Sequence, residues 1–236
     1  MSAPPGDDDA GPGAGGWSDR LEHLATGEVS SRRAEARRVA DSARRALHAL
    51  MNSEAPEEVL HQVADGLSKL ADQLAAHPNR SMYVGFAESA NSGDPHAFFD
   101  HSPMIGKANP LAPPIALRQV DDHMEGIVTF GPAYEGPPGC VHGGFIAAAF
   151  DEVLGATQSL SGTPGMTARL TVNYRRPTPL GEELVFVGEL DRVEGRKIFT
   201  IGRVMAGATV TAEAEGLFVS IDFGRFAELK EIRDAR

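Results

Sequence analysis

Apolar residues recur at helical spacing twice in the first third of the chain and at every second position in the last third, with one nearly aperiodic apolar stretch between. Val39, Ala43, Ala46 and Leu50 follow the helical period, as do Leu60, Val63, Leu67, Leu70 and Leu74, which predicts two amphipathic helices. Residues 52–56 separate them. Ser53 is placed to cap the second helix, Pro56 suits its first turn, and His77-Pro78-Asn79 ends it. So short a linker predicts an antiparallel helical hairpin. After Gly162-Thr163-Pro164-Gly165 the period falls to two: Ala168, Leu170, Val172 and Tyr174 alternate with Thr167, Arg169, Thr171, Asn173 and Arg175, a half-buried strand. Residues 184–190, 198–205 and 210–221 are also β-rich and are joined by short Gly-containing turns, which favour antiparallel pairing. Two further strand-like segments cover 115–119 and 125–130.

The aperiodic stretch holds the chemistry. Phe145-Ile146-Ala147-Ala148-Ala149-Phe150 leads straight into Asp151 and Glu152, and the loop Gly136-Pro137-Pro138-Gly139-Cys140-Val141-His142-Gly143-Gly144 precedes it. Prolines and glycines mark a loop that gives way to a helix beginning near His142. The first N–H groups of that helix, on Gly143 and Gly144, have no intrahelical partner, sit at the positive end of the dipole and carry no Cβ to hold a ligand away. A helix apolar on most sides needs cover, and an antiparallel sheet curled around it supplies that cover. The fold class is therefore α+β, an antiparallel β-sheet wrapped around a central helix with an N-terminal helical hairpin.

The chain divides into a disordered tail (1–16), the hairpin (17–80), a connecting loop (81–114), the sheet-and-helix domain (115–224) and a C-terminal tail (225–236). The first sixteen residues have almost no apolar side chains to offset the entropy of ordering, and they resemble neither a secretion signal nor a presequence. Six arginines on the first helix, Arg32, Arg33, Arg37, Arg38, Arg44 and Arg45, are interspersed with Glu35 and Asp41. They read as a solvated face, or alternatively as a site for an anionic partner. The net charge of −11 argues against nonspecific nucleic-acid binding. The single cysteine, Cys140, leaves no internal disulfide and suits a reducing compartment. No apolar run is long enough to span a membrane, so a soluble, cytoplasmic protein is expected. No metal-ligand spacing and no nucleotide-binding glycine loop is present, so neither metal nor cofactor is expected.

Three elements at fixed spacing carry a resemblance: Glu135-Gly-Pro-Pro-Gly-x-Val-His142-Gly-Gly, Asp151 nine residues after that histidine, and the run from Met166-Thr167 through Tyr174 to Pro179-Leu180. The chain resembles hotdog-fold acyl-CoA thioesterases of the phenylacetate-pathway type over residues 103–222. The resemblance implies that Asp151 is the catalytic carboxylate, that the Gly143 N–H polarises the thioester carbonyl and that Thr167 orients the carboxylate or the attacking water. It also implies a homo-oligomer, a dimer or a dimer of dimers, in which each site takes the helix start from one subunit and the aspartate from the other. Some members place a water-positioning Asn or Gln six residues before the histidine; this chain has Gly136.

Each residue has a plainer reading as well. Asp151 can be a buried acid neutralised by a basic partner, and Glu152 is the rival carboxylate or a structural one. His142 can act as a base or simply shape the loop, and Thr167 can be an ordinary strand residue on a polar face, a tension that a bend in the strand would remove. Cys140 invites a Cys/His nucleophile, but no third orienting group accompanies it. Arg175 and Arg176 are candidates for the phosphates of CoA, or for strand-end solvation. The alternatives at the level of function are an acyl-CoA-binding module without turnover and a hotdog hydratase or dehydratase. The latter pairs its histidine with an acid about fourteen residues later, where this chain has Ala156.

Overall fold

The computed structural model describes residues 29–77, 100–163 and 165–220; the readings of both tails and of residues 78–99 lie outside it. Helices α1 (Ser31–Met51) and α2 (Glu57–Ala75) come first, then strands β1 (Ala116–Val120) and β2 (His123–Thr129), helix α3 (Gly143–Gln158), and strands β3 (Gly165–Tyr174), β4 (Glu183–Glu194), β5 (Lys197–Ala206) and β6 (Thr209–Ser220). The six strands form one antiparallel sheet in the order β1-β2-β4-β5-β6-β3. Every strand read from the period-two pattern is present, and β3, which follows the central helix in sequence, lies at the sheet edge.

The sheet wraps α3. Ile146, Ala149, Phe150, Val153 and Leu154 of the helix are buried against Leu184, Phe186, Ile198, Val204 and Phe218 of the strands, with Phe150 and Phe186 meeting edge to face at 5.1 Å. A lane of small residues lets the helix lie close. Gly188 stands opposite Gly202, and Gly202 opposite Ala214. A Cβ on Gly188 would overlap Thr157 Oγ1, and one on Gly202 would lie 3.0 Å from Leu154 Cδ2. These glycines are needed for close approach rather than for turns. The uncovered line of α3 runs through Gly144 and Asp151.

The N-terminal helices correct two expectations. Ser53 accepts a hydrogen bond from the N–H of Ala55 (3.1 Å) and does not cap α2, whose N-cap is Pro56 without a side-chain bond. The apolar stripe of α1 is left in solvent, Val39 and Leu50 being 54% and 52% exposed. The opposite face docks instead. Arg33 and Arg37 pair with the buried Asp100 at 3.1 and 2.8 Å, and Arg44 donates to the carbonyls of Asn109 (2.8 Å) and Lys107 (3.2 Å). Half of the arginine run is thus neither a solvated face nor an anion site. Guanidinium groups reach loop acceptors that an aliphatic side chain would leave unsatisfied. The end of the expected connecting loop is packed too, with Met104 and Ile105 in the central core. No residue of α2 is buried, and its stripe packs on nothing among the described residues. None of the described helices is long and apolar enough to cross a membrane.

Candidate active site

The loop before α3 is held by its own backbone. Gly136 N–H donates to Cys140 O (2.9 Å), Gly139 N–H to the Glu135 carboxylate (2.7 Å), and His142 N–H to Tyr134 O (2.9 Å). Gly139 has φ +72°, which favours glycine. Gly136 is required for another reason: a Cβ there would lie 2.7 Å from His142 Cα. A water-positioning side chain at that position is excluded by the packing of the loop.

His142 is the N-cap of α3. Its Nδ1 accepts the Gly144 N–H at 3.0 Å, so the imidazole is neutral with its proton on Nε2. This favours the loop-shaping reading of His142 over a base acting through Nδ1. It also corrects the expectation of two free donors at the helix start, because His142 has taken the one on Gly144. Gly143 is left with an N–H that meets no acceptor among the described residues. From the other side, Tyr174 Oη donates to Gly143 O at 2.7 Å, tying the helix start to the end of β3. Tyr174 lay inside the motif read from sequence, but nothing in its spacing distinguished it from a strand-end aromatic.

Two turns along the helix, Asp151 is exposed and accepts a hydrogen bond from Thr167 Oγ1 at 2.9 Å. In the single chain Asp151 is neither buried nor paired with a cation among the described residues. Thr167 reaches it because the register of β3 shifts between Thr167 and Arg169; this bulge re-aims the side chain and removes the conflict with strand alternation. Glu152 is the more enclosed of the two carboxylates. Burial and the neighbouring Asp151 push its carboxyl up to about 7, opposed by the Ser102 hydroxyl, which lies 3.5 Å from Oε2. Glu152 faces the segment held by α1 rather than the open line of the helix. Ser102 is fifty positions away in sequence, and no local signal links the two.

Glu152 leads to a stability prediction. The folded state holds this proton more tightly than the unfolded chain, for which 4.5 is the ordinary value, so stability falls as pH rises from about 4.5 to about 7. Glu152→Gln removes that loss. Thermal unfolding is expected to show the variant more stable than wild type at pH 8, by on the order of 2 kcal/mol once partial solvent access is allowed for, and the advantage fading near pH 5.

A cleft of ≈ 480 Å³ opens beside the helix start, lined by residues including Cys140, Gly143, Ile146, Tyr174, Arg175 and Arg176. The Arg175 guanidinium pairs with Glu213 at 2.7 Å, whereas the Arg176 side chain has no ion-pair partner among the described residues. The Cys140 thiol donates to Pro138 O (3.6 Å). Among the described residues, no group of acidic, histidine and cysteine side chains is arranged to hold a metal ion.

Comparison with known proteins gives the family. The family profile described as thioesterase superfamily matches residues 138–214, from the loop before α3 into β6. A crystal structure of a thioesterase superfamily protein is 37% identical, with a TM-score of 0.69, covering 78% of this chain and 94% of the other. The chain belongs to the thioesterase superfamily. Its fold is the hotdog fold. Acyl-coenzyme A thioesterase THEM4 of Bos taurus is 42% identical over 94 residues, 39% of this chain and 38% of that protein. Acyl-coenzyme A thioesterase THEM5 of Homo sapiens is 33% identical over 93 residues, again 39% and 38%. The chain thus spans about two fifths of the length of these curated relatives.

Proposed function

We propose that this thioesterase superfamily member hydrolyses acyl-CoA thioesters to the free acid and CoA. The observation that carries the reading is the unclaimed Gly143 N–H at the start of a helix that also bears Asp151, held by Thr167. Asp151 takes a proton from water as the oxygen attacks the thioester carbon, and the carbonyl oxygen becomes an oxyanion at the Gly143 N–H and the positive helix end. Collapse of the tetrahedral adduct breaks the C–S bond, and the proton held by Asp151 returns to the departing thiolate. The acyl-CoA thioesterase names of the relatives support the substrate class. A dehydratase would need an acid at the position of the buried Ala156.

Gly143 and Asp151 are eight residues apart on one helix, about 12 Å along its axis, too far to act on the same carbonyl carbon. A dimer whose sites combine Gly143 of one subunit with Asp151 of the other removes this difficulty. Strand β3 suits such an interface. It is a sheet edge with no second partner strand among the described residues, and it exposes Met166 (55%) and Tyr174 (53%). Arg176 and Arg175 line the cleft, which supports a contact from them to the phosphates of CoA. Cytoplasmic residence and a role in lipid metabolism complete the proposal. Free-thiol release from acyl-CoAs of short, medium, long and aryl chains tests it. At least one class should turn over well above the buffer rate; binding without thiol release from any of them would contradict it.

A further inference from the structure

We infer that α1 braces the oxyanion loop and that His48, in its last turn, is the positioning residue through which it acts on the Gly143 N–H. The inference rests on the thioesterase reading for its catalytic consequence, but not for its geometry. His48 Nδ1 accepts the N–H of Ala133 at 3.3 Å. That donor belongs to the one-turn helix Pro132–Tyr134, in which Pro132 has no N–H and the Tyr134 N–H donates to Gly131 O (3.0 Å), so His48 takes the remaining N–H of the turn. The imidazole also lies flat enough on the chain that a Cβ at Gly131 would fall 2.7 Å from His48 Cε1, and its ring centroid is 5.6 Å from that of Tyr134.

Tyr134 carries the contact onward. It is buried, its hydroxyl donates to Leu111 O (3.1 Å), and its ring meets Phe145 edge to face at 4.9 Å. Its carbonyl accepts the N–H of His142, the cap residue directly before Gly143. One ring contact and one backbone hydrogen bond therefore separate His48 from the residue that aims the free N–H. One turn earlier on α1, Arg44 holds Asn109 O and Lys107 O, fixing the segment to which Tyr134 is anchored. Residue 48 lies outside the 138–214 family match. The N-terminal helix thus supplies from outside the matched region what an oxyanion donor needs: a loop held in one place by several independent contacts.

Small displacements at a reacting centre are expensive in rate, so the brace has a kinetic signature. For the full chain, His48→Ala is expected to lower kcat about tenfold with KM changed less than about twofold. By NMR, amide exchange should quicken at Ala133 and His142 while β5 amides keep their protection. His48→Asn, whose side-chain oxygen can accept the Ala133 N–H, should recover most of both. Arg38→Ala, which alters only an exposed pair with Glu35, serves as the neutral control. Unchanged kcat and exchange in His48→Ala would overturn the inference. So would exchange that quickens uniformly through β5, which marks general destabilisation, or an Asn variant no better than Ala. If the wild type releases no thiol from any acyl-CoA, the thioesterase reading fails, and the local exchange pattern alone decides the brace.

Discussion

Asp151→Asn is expected to lower acyl-CoA turnover by about a hundredfold or more, the lower range of what a general base contributes, while the melting temperature stays close to that of the wild type. The substitution is nearly isosteric. The amide oxygen can still accept the Thr167 hydroxyl that now donates to Asp151 at 2.9 Å, so the local structure has no reason to change. What is lost is the ability to take a proton from water. Because Asp151 is exposed and without a cationic partner among the described residues, removing its charge leaves no buried cation behind. Thiol release and thermal unfolding on the same samples separate chemistry from folding, and a variant with full activity would remove Asp151 from the mechanism. Retained activity would shift attention to Glu152, the other carboxylate on this turn.

Gly143→Pro should be comparably severe, at about 10² to 10³ in kcat, the usual cost of losing one oxyanion donor. Proline at the first helical position lacks only an N–H that the helix does not use and is tolerated there. The preceding residue already has the extended geometry that proline demands: His142 has φ −60° and ψ 131°. Gly143→Ala is the informative companion. It keeps the N–H and adds a Cβ about 3.2 Å from Tyr174 Oη, so a small shift of the tyrosine accommodates it. A kcat for Gly143→Ala within tenfold of wild type, with Gly143→Pro far below it, assigns the effect to the donor. Equal losses in both would assign it to crowding.

Much of this site was legible in the sequence because its signals are local. Proline and glycine before an apolar run place the start of α3 to within one residue, and the family resemblance implies the pairing of Thr167 with Asp151, which are hydrogen-bonded in the structure. What escaped depends on distance in sequence or on direction. That Gly144 would lose its N–H to His142 depends on a side-chain rotamer. That Glu152 rather than Asp151 would be the half-buried acid depends on which side of α3 the 100–106 segment covers. The arginines of α1 looked like surface charge because composition cannot show that Asp100 and two loop carbonyls wait beneath them. The lane of glycines that seats α3 combines residues from different strands, visible only once the register is known.

In the proposed dimer two half-sites, Gly143 from one subunit and Asp151 from another, make one thioesterase centre. Mixing the Gly143→Pro and Asp151→Asn proteins under conditions that exchange subunits, then measuring thiol release, tests it directly. In a mixed dimer one site inherits both substitutions and the other neither. Random exchange should therefore restore about a quarter of wild-type activity from two nearly inactive parents, as two-fold pairing of subunits requires. Activity that stays at the average of the parents, with exchange demonstrated, would contradict the shared site.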